Sequence, residues 1–461
     1  MPKPLLSVVV LAAGEGKRMR SATPKVLHPV AGEPMIGHVL AAARALEPAA
    51  IHVVHGHGGD QVQARFDDND LHWAHQAEQL GTGHAVAQAM PAIADDHQVL
   101  VLCGDVPLIQ PDTLRELVDA AGREAALLSV LLDDPSGYGR ILRDTDGAVA
   151  GIVEDKDATA GQRQVTEINT GILCLPAGRL RGWLARLDAG NAQGELYLTD
   201  CIAMARADGI AVHGVRAADP WEVQGVNDQV QLAAVERACQ RRSAQRLMRD
   251  DGVALADPAR FDLRGRLTAG RDCRIDVDVI IEGEVVLGDG VEIGPFTRLR
   301  DTRIGAGTRI LGHCEIEASD IGTGARIGPF ARLRPRSVLG DAVRVGNFVE
   351  TKNVAVATGS KLNHLSYLGD ADIGEGVNVG AGTITCNYDG RDKHLTRIGD
   401  RVFIGSNTAL VAPIEVGDDV TIGAGTTLRD DVAADSLAVD ATRPRQIKGW
   451  RPDDAGQQSG D

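Results

Sequence analysis

The chain of 461 residues has few aromatic side chains: six Phe, four Trp and four Tyr. Alongside 54 glycines, so few rings point to small-residue packing or to many turns. An apolar run of about 18 residues is also lacking, so no transmembrane helix is expected. Residues 5–13 could pass for a short signal region, but they run into the charged turn Gly14-Glu15-Gly16-Lys17-Arg18 and read better as a first core strand. The seven cysteines are scattered and include no C-x-x-C pair. That indicates neither a disulfide framework nor a zinc site, and makes a reducing cytoplasm the expected compartment. Basic residues are the minority, 48 against 64 acidic, for a net charge of −16. Such a balance argues against a nucleic-acid or anionic-membrane partner, which would be held by basic patches. An anionic substrate must therefore meet local basic groups.

With 43% hydrophobic and 24% charged residues the chain is globular, and its length suggests roughly two to four domains. Short apolar runs at 7–13, 51–54, 99–103, 126–132 and 168–175 alternate with helical patterns such as 38–46 and 111–121. This alternation predicts a mainly parallel sheet covered by helices. Residues 228–250 carry no Gly or Pro and read as a connecting helix. The expected division is a first domain at 1–227, a helical linker at 228–251 and a second domain at 252–461.

The second domain is periodic at six. Aliphatic residues recur at Ile281, Leu287, Ile293 and Leu299, at Ile304, Ile310 and Ile316, and from Ile321 through Ile327, Leu333 and Leu339 to Val345. The run resumes at Ile373 and Val379, then from Ile398 through Ile404, Leu410, Val416 and Ile422 to Leu428. About half of the glycines lie between Gly265 and Gly425, often directly after the aliphatic residue. A sustained period of six fits neither an α-helix nor a set of hairpins; it is the signature of a β-helix of hexapeptide repeats. Residues 351–369 and 385–397 break the phase and are expected to be insertions leaving the coil, where binding residues gather.

Directly after the first strand, Leu11, Ala12, Ala13 and Gly14 open a Gly-rich loop able to cradle phosphates with backbone N–H groups. It is neither a P-loop nor a dinucleotide fingerprint, and a plain strand-to-helix turn is about as good a reading. Its surroundings sharpen it. Arg18 and Lys25 are nearby cations, and the strand at 99–103 leads into Asp105, where α/β sheets place ligands. Phosphate oxygens with a carboxylate suit Mg²⁺, so the set supports nucleotidyl transfer.

These segments, with Pro24-Lys25-Val26-Leu27, residues 76–83 (QAEQLGTG), Cys103-Gly104-Asp105 and residues 167–171 (EINTG), resemble the sugar-1-phosphate nucleotidylyltransferases. Residues 328–335 (GPFARLRP) and 382–390 (GTITCNYDG) narrow the resemblance. The chain is similar, over nearly its whole length, to the bacterial bifunctional N-acetylglucosamine-1-phosphate uridylyltransferase/glucosamine-1-phosphate N-acetyltransferase family. This implies an α/β Rossmann-like nucleotidyltransferase domain, a linker helix and a left-handed parallel β-helix. It also implies a cytoplasmic homotrimer acting on glucosamine 1-phosphate, acetyl-CoA, N-acetylglucosamine 1-phosphate and UTP to make UDP-N-acetylglucosamine.

For the first site the resemblance implies UTP held by Leu11 to Gly14, Arg18 and Lys25, uracil contacts from Gln76, Gly81 and Thr82, and nucleotide contacts from Cys103, Gly104 and Asp105. The sugar would meet Gly139, Glu154 and Asn169, and Asp105 with Asn227 would ligate Mg²⁺. Read without the resemblance, Asn227 is a helix N-cap, Glu154 part of a solvated charge run and Asn169 a turn residue. The chemistry needs no general base, because the attacking phosphate oxygen is already anionic; positioning and charge stabilisation suffice.

Acetyl transfer does need a base, since the glucosamine amine is largely protonated near neutrality. Of 13 histidines, His364 matches the family's catalytic one. Arg334 and Lys352 resemble its sugar-phosphate anchors, with Tyr367 and Asn378 completing sugar recognition. Ala381, Asn387, Tyr388, Ser406 and Ala424 match positions lining the acetyl-CoA cleft. Near the C-terminus Arg443, or alternatively Arg445, would meet the CoA phosphates. Two other readings stay open: a nucleotidylyltransferase whose β-helix only trimerises it, and a non-catalytic scaffold. The intact loop with Lys25 and Asp105 argues against the scaffold, and His364 with Lys352 and Arg334 against the single activity.

Overall fold

In the computed structural model, which describes residues 3–66, 68–440 and 446–448, contacts gather the chain into two units. One is Met1–Arg246 with Phe261–Gly265; the other is Leu247–Arg260 with the chain from Arg266 onward.

The first unit runs β1 (Leu6–Ala12), α1 (Met35–Arg44), β2 (Ala50–His55), β3 (Leu71–His75), α2 (Thr82–Ala89), β4 (Gln98–Cys103), α3 (Pro111–Ala121) and β5 (Ala125–Leu131). It continues with β6 (Arg140–Arg143), β7 (Val149–Val153), β8 (Glu167–Pro176), β9 (Val212–Arg216) and α4 (Gln229–Arg249). Strand alternation builds two cores from one sheet. Val8 and Val10 of β1 with Leu100 and Leu102 of β4 enter the cluster that holds Ile36, Val39 and Leu40 of α1. Val9, Val99 and Val101 point the other way, to Val86 and Ala89 of α2. Both faces are thus covered, as the near-continuous apolar runs of these strands require.

The spatial order is β3-β2-β1-β4-β8-β5-β9, with the β6–β7 hairpin attached to β8. β1 pairs in parallel with β2 on one side and β4 on the other. The chain therefore departs in opposite directions on either side of β1, which opens a crevice at the carboxyl ends of β1 and β4. The expected mainly parallel sheet is interrupted by β8, which runs antiparallel to both β4 and β5. At the start of α4, Asp228 Oδ1 accepts the Gln231 backbone N–H at 2.9 Å, so Asp228 is the N-cap and Asn227 is free for another role.

The second unit is a parallel β-helix of hexapeptide repeats. Each coil takes three steps of about six residues, and inward residues of successive coils lie in register. One row stacks Ile293, Ile310, Ile327, Val345, Leu362, Val379, Ile404 and Ile422. A second stacks Leu299, Ile316, Leu333, Thr351 and Leu368, and a third runs from Leu287 and Ile304 through Val356 and Ile373 to Ile398 and Val416. Residues 351–369 are therefore regular coil and not the expected insertion. The inward place at 351 is taken by a fully buried threonine, whose Oγ1 pairs with Ser337 Oγ at 2.9 Å, and the aliphatic pattern hides there. The second expected insertion is present: Ile373 pairs with Ile398, and residues 387–395 lie outside the ladder rows.

Candidate active sites

In the first unit the crevice is a cavity of about 280 Å³. Leu11, Ala12, Ala13 and Gly14 from the end of β1, Lys25, Gln76, Gly81 and Thr82 before and in α2, and Cys103 and Asp105 after β4 all line it. Gly104 lies between the last two, its N–H donated to the Leu11 carbonyl at 2.9 Å, which ties the two strand ends together. Gly16 has φ +64, and a Cβ there would stand 2.8 Å from Lys25 Cβ; only glycine lets the loop close over the lysine. Gln76, 3% exposed, has its amide nitrogen 3.2 Å from the Gly81 carbonyl and 3.1 Å from His84 Nδ1. Gln79 and Glu195 also line the cavity. Gln79 sat unassigned within the 76–83 motif, whereas Glu195, in an irregular stretch, carried no signal.

Charge is concentrated at one end. Lys25 Nζ forms an ion pair with Asp105 Oδ2 and also lies 3.4 Å from Asn227 Oδ1, which accepts Arg18 Nη2–H at 2.9 Å. Two oxygen donors, one anionic and one neutral, thus converge on a single positive centre. That donor set fits a hard divalent cation that completes its shell with phosphate oxygens and water. Desolvation, and then the nearby Asp105 charge, push the Cys103 thiol up to about 12, so it offers no thiolate at working pH.

Gly139, Glu154 and Asn169 come together beside this cavity. The Asn169 N–H donates to the Gly139 carbonyl at 2.8 Å, and a Cβ on Gly139 would lie 3.3 Å from Glu154 Oε2. Thr199 Oγ1 donates to Glu154 Oε1 at 3.0 Å, a partner with no sequence signal. Burial raises the Glu154 pKa against this hydrogen bond. Asn169 Oδ1 accepts the Gly171 N–H at 3.2 Å, and Gly171 abuts Cys103 Sγ, which joins this group to the cavity wall. Glu154 is therefore not part of a solvated charge run.

In the second unit His364 is exposed at the end of the strand Lys361–His364, and its Nδ1 lies 3.2 Å from Oδ1 of Asn347, its register partner one coil earlier. With Nδ1–H donated to that oxygen, Nε2 is left with its lone pair outward. Arg334 Nη1–H donates to Glu350 Oε1 at 2.9 Å. Lys352, on the same ladder, has its pKa lowered first by Lys393 and then by Arg334. Lys393 was not read from the sequence; the 387–395 insertion brings it against Lys352. The Tyr367 hydroxyl lies over Gly369, where a Cβ would come within 2.4 Å of it. Asn378 is on the same sheet as His364, in register with Lys361. Ala381, Ser406 and Ala424 form a corner column on successive coils: the Asn407 N–H reaches the Ala381 carbonyl at 2.7 Å and the Gly425 N–H the Ser406 carbonyl at 2.8 Å. Asn387 is buried and Tyr388 is 59% exposed at the root of the insertion. Arg443, like Arg445, lies outside the described residues.

A doubly wound α/β sheet with a lysine-tipped crevice at its strand ends, followed by a hexapeptide β-helix, defines a nucleotidyltransferase joined to an acyltransferase-type coil. Residues 8–166 match the MobA-like NTP transferase domain, 263–367 the GMPPB C-terminal domain and 395–429 the hexapeptide repeat of succinyl-transferase. The chain is 61% identical to the bifunctional protein GlmU of Alkalilimnicola ehrlichii, over 97% of this chain and 96% of that one. It is 58% and 59% identical to the proteins of the same name from Aromatoleum aromaticum and Xanthomonas euvesicatoria, over 97% of this chain and 98% of each. The chain belongs to the bifunctional GlmU family.

Proposed function

We propose that the two sites carry successive steps of UDP-N-acetylglucosamine synthesis: the β-helix acetylates glucosamine 1-phosphate, and the α/β unit transfers UMP from UTP to the product. Membership of the family makes the chain a bifunctional enzyme with acetyltransferase and uridylyltransferase activities. What carries the assignment of the first site is the convergence of Lys25, Asp105 and Asn227 at the carboxyl ends of β1 and β4.

For acetyl transfer, Arg334, Lys352 and Lys393 would hold the sugar phosphate, and Tyr367 and Asn378 the sugar. His364 Nε2 would take a proton from the amine as its nitrogen bonds to the thioester carbon and the CoA thiolate leaves. Ala381, Ser406 and Ala424 present no bulk along their column, which suits an extended CoA chain lying against backbone. Asn387 and Tyr388 flank it, and the terminal arginine at 443 or 445 would add charge for the CoA phosphates.

For uridylyl transfer, Leu11 to Gly14 would meet the nucleotide phosphates through backbone N–H groups, with Gln76, Gly81 and Thr82 at the base and Gly139, Glu154 and Asn169 at the sugar. The sugar-phosphate oxygen attacks the α-phosphorus and pyrophosphate leaves. Lys25 and Arg18 would neutralise the developing charge. Asp105 and Asn227 would hold Mg²⁺, which when bound supplies further charge neutralisation on the phosphates.

The domain reading, 1–227, 228–251 and 252–461, follows the same functional division. The hexapeptide unit suggests oligomerisation, and we read it as a homotrimer in the cytoplasm with acetyl sites shared between neighbours. Among the described residues no helix is long and apolar enough to cross a membrane. His364→Ala should stop the release of CoA thiol from acetyl-CoA and glucosamine 1-phosphate, yet leave pyrophosphate release from UTP and N-acetylglucosamine 1-phosphate near normal. Equal loss of both would contradict separate sites.

A further inference from the structure

Among the described residues of the second unit, one acidic side chain is taken out of solvent: Asp370, 9% exposed and with a left-handed backbone (φ 47). A buried carboxylate must be matched by donors, and both of its oxygens are matched by carboxamides. Asn353 Nδ2 donates to Oδ1 at 2.6 Å, and Asn387 Nδ2 donates to Oδ2. An ionised carboxylate only accepts hydrogen bonds, so each asparagine is held with its NH₂ turned inward. For Asn387 this decides which end of the amide is left over. Among the described residues no donor reaches Asn387 Oδ1, and that oxygen is not sealed from solvent. The NH₂ end packs against Gly369, beneath the Tyr367 hydroxyl. Asn387 also anchors the insertion: its carbonyl accepts the His394 N–H at 2.9 Å, which closes the loop that carries Lys393.

We propose that Asp370 is a positioning residue for acetyl transfer: by gripping the NH₂ of Asn387 it presents Asn387 Oδ1 as a fixed hydrogen-bond acceptor for the amine of the amino sugar. An acceptor there binds one amine N–H and so turns the nitrogen lone pair toward the thioester carbon. An NH₂ in its place would instead compete for that lone pair. The inference rests on the reading of Asn387 as a substrate-facing residue, and the test separates the two.

Asp370→Asn offers the two carboxamides one acceptor oxygen and one NH₂ in place of two acceptors, so either Asn353 or Asn387 must turn over and the grip on Asn387 is weakened. Its kcat for acetyl transfer should fall about ten- to a hundredfold. The KM for acetyl-CoA should stay nearly constant, and uridylyl transfer, measured in the same preparation, should be unchanged. The exchange variant Asp370→Asn/Asn387→Asp restores donor-to-acceptor matching and again leaves an acceptor oxygen at 387. It should recover most of the lost kcat. A fully active Asp370→Asn enzyme, or an exchange variant that folds and stays as slow as the single one, overturns the proposal. If Asp370→Asn does not fold, the exchange variant alone decides in the same way. Asn387→Ala probes the underlying reading: wild-type acetyl transfer in that variant removes Asn387 from the site whatever Asp370 does.

Discussion

At Lys25 a single ammonium bridges Asp105 and Asn227, while the Gly16 backbone closes against its stem. The ion pair is partly shielded, with the two side chains 15% and 20% exposed. It places a positive charge where, on the proposed reading, a polyphosphate would arrive, in an environment where that charge acts more strongly than in water. Replacing it by an uncharged side chain of similar length removes the charge and leaves Asp105 to repel the nucleotide. Lys25→Met should therefore lower kcat/KM for uridylyl transfer by about two to three orders of magnitude. Release of CoA thiol by the same preparation should be unaffected. Comparing pyrophosphate and thiol release measures both, and near-normal pyrophosphate release would show that the bridge is only structural.

The 387–395 insertion shows which elements a sequence discloses. Asn387-Tyr388-Asp389-Gly390 reads alone as a turn, and in the structure the loop is held by its own bonds. Asp389 accepts the Arg391 and Asp392 N–H groups at 2.8 and 2.7 Å and lies 2.8 Å from His394 Nε2, contacts that hold its carboxyl well below the usual range. The prism beneath continues without it, because Thr385 stacks on Leu410 and Ile373 on Ile398. Replacing residues 388–394 with a short Gly-Ser link should shift the melting temperature by no more than about 5 °C. Acetyl transfer should fall at least a hundredfold, since Lys393 and Tyr388 go with the loop; retained acetyl transfer would remove the loop from the site. Hexapeptide periodicity was legible because nearly every inward position is aliphatic, and it failed at Thr351, where a hydroxyl pair fills the same place. The β1 loop, Lys25 and Asp105 were legible because they sit at fixed offsets from strand ends. Thr199, Glu195, Asn347 and Lys393 were not, because loop packing or coil register joins them to residues far away in sequence, and that pairing leaves no local pattern.

Over the whole chain, a net charge of −16 coexists with two sites that must attract polyanions. On the proposed reading the β-helix site would meet this with three cations, Arg334, Lys352 and Lys393, against the Glu350 carboxylate that pairs with Arg334, and Lys352 is already crowded by its neighbours. The α/β site places a carboxylate, Asp105, against its own lysine, so its oxygens await a further positive charge. Among the described residues no group of three or more His, Cys, Asp or Glu is arranged to hold a metal ion. One carboxylate and one amide oxygen make a weak site for Mg²⁺ until nucleotide phosphates add their oxygens. Metal and nucleotide should therefore bind together. Calorimetric titration of Mg²⁺ should give little heat with the protein alone and clear saturation once a non-hydrolysable UTP analogue is present, beyond the heat of Mg²⁺ with the analogue alone. Chelation should then abolish pyrophosphate release and spare the release of CoA thiol, because the second site relies on fixed cations. Tight Mg²⁺ binding without nucleotide, or equal loss of both activities on chelation, would contradict this division of charge between the two sites.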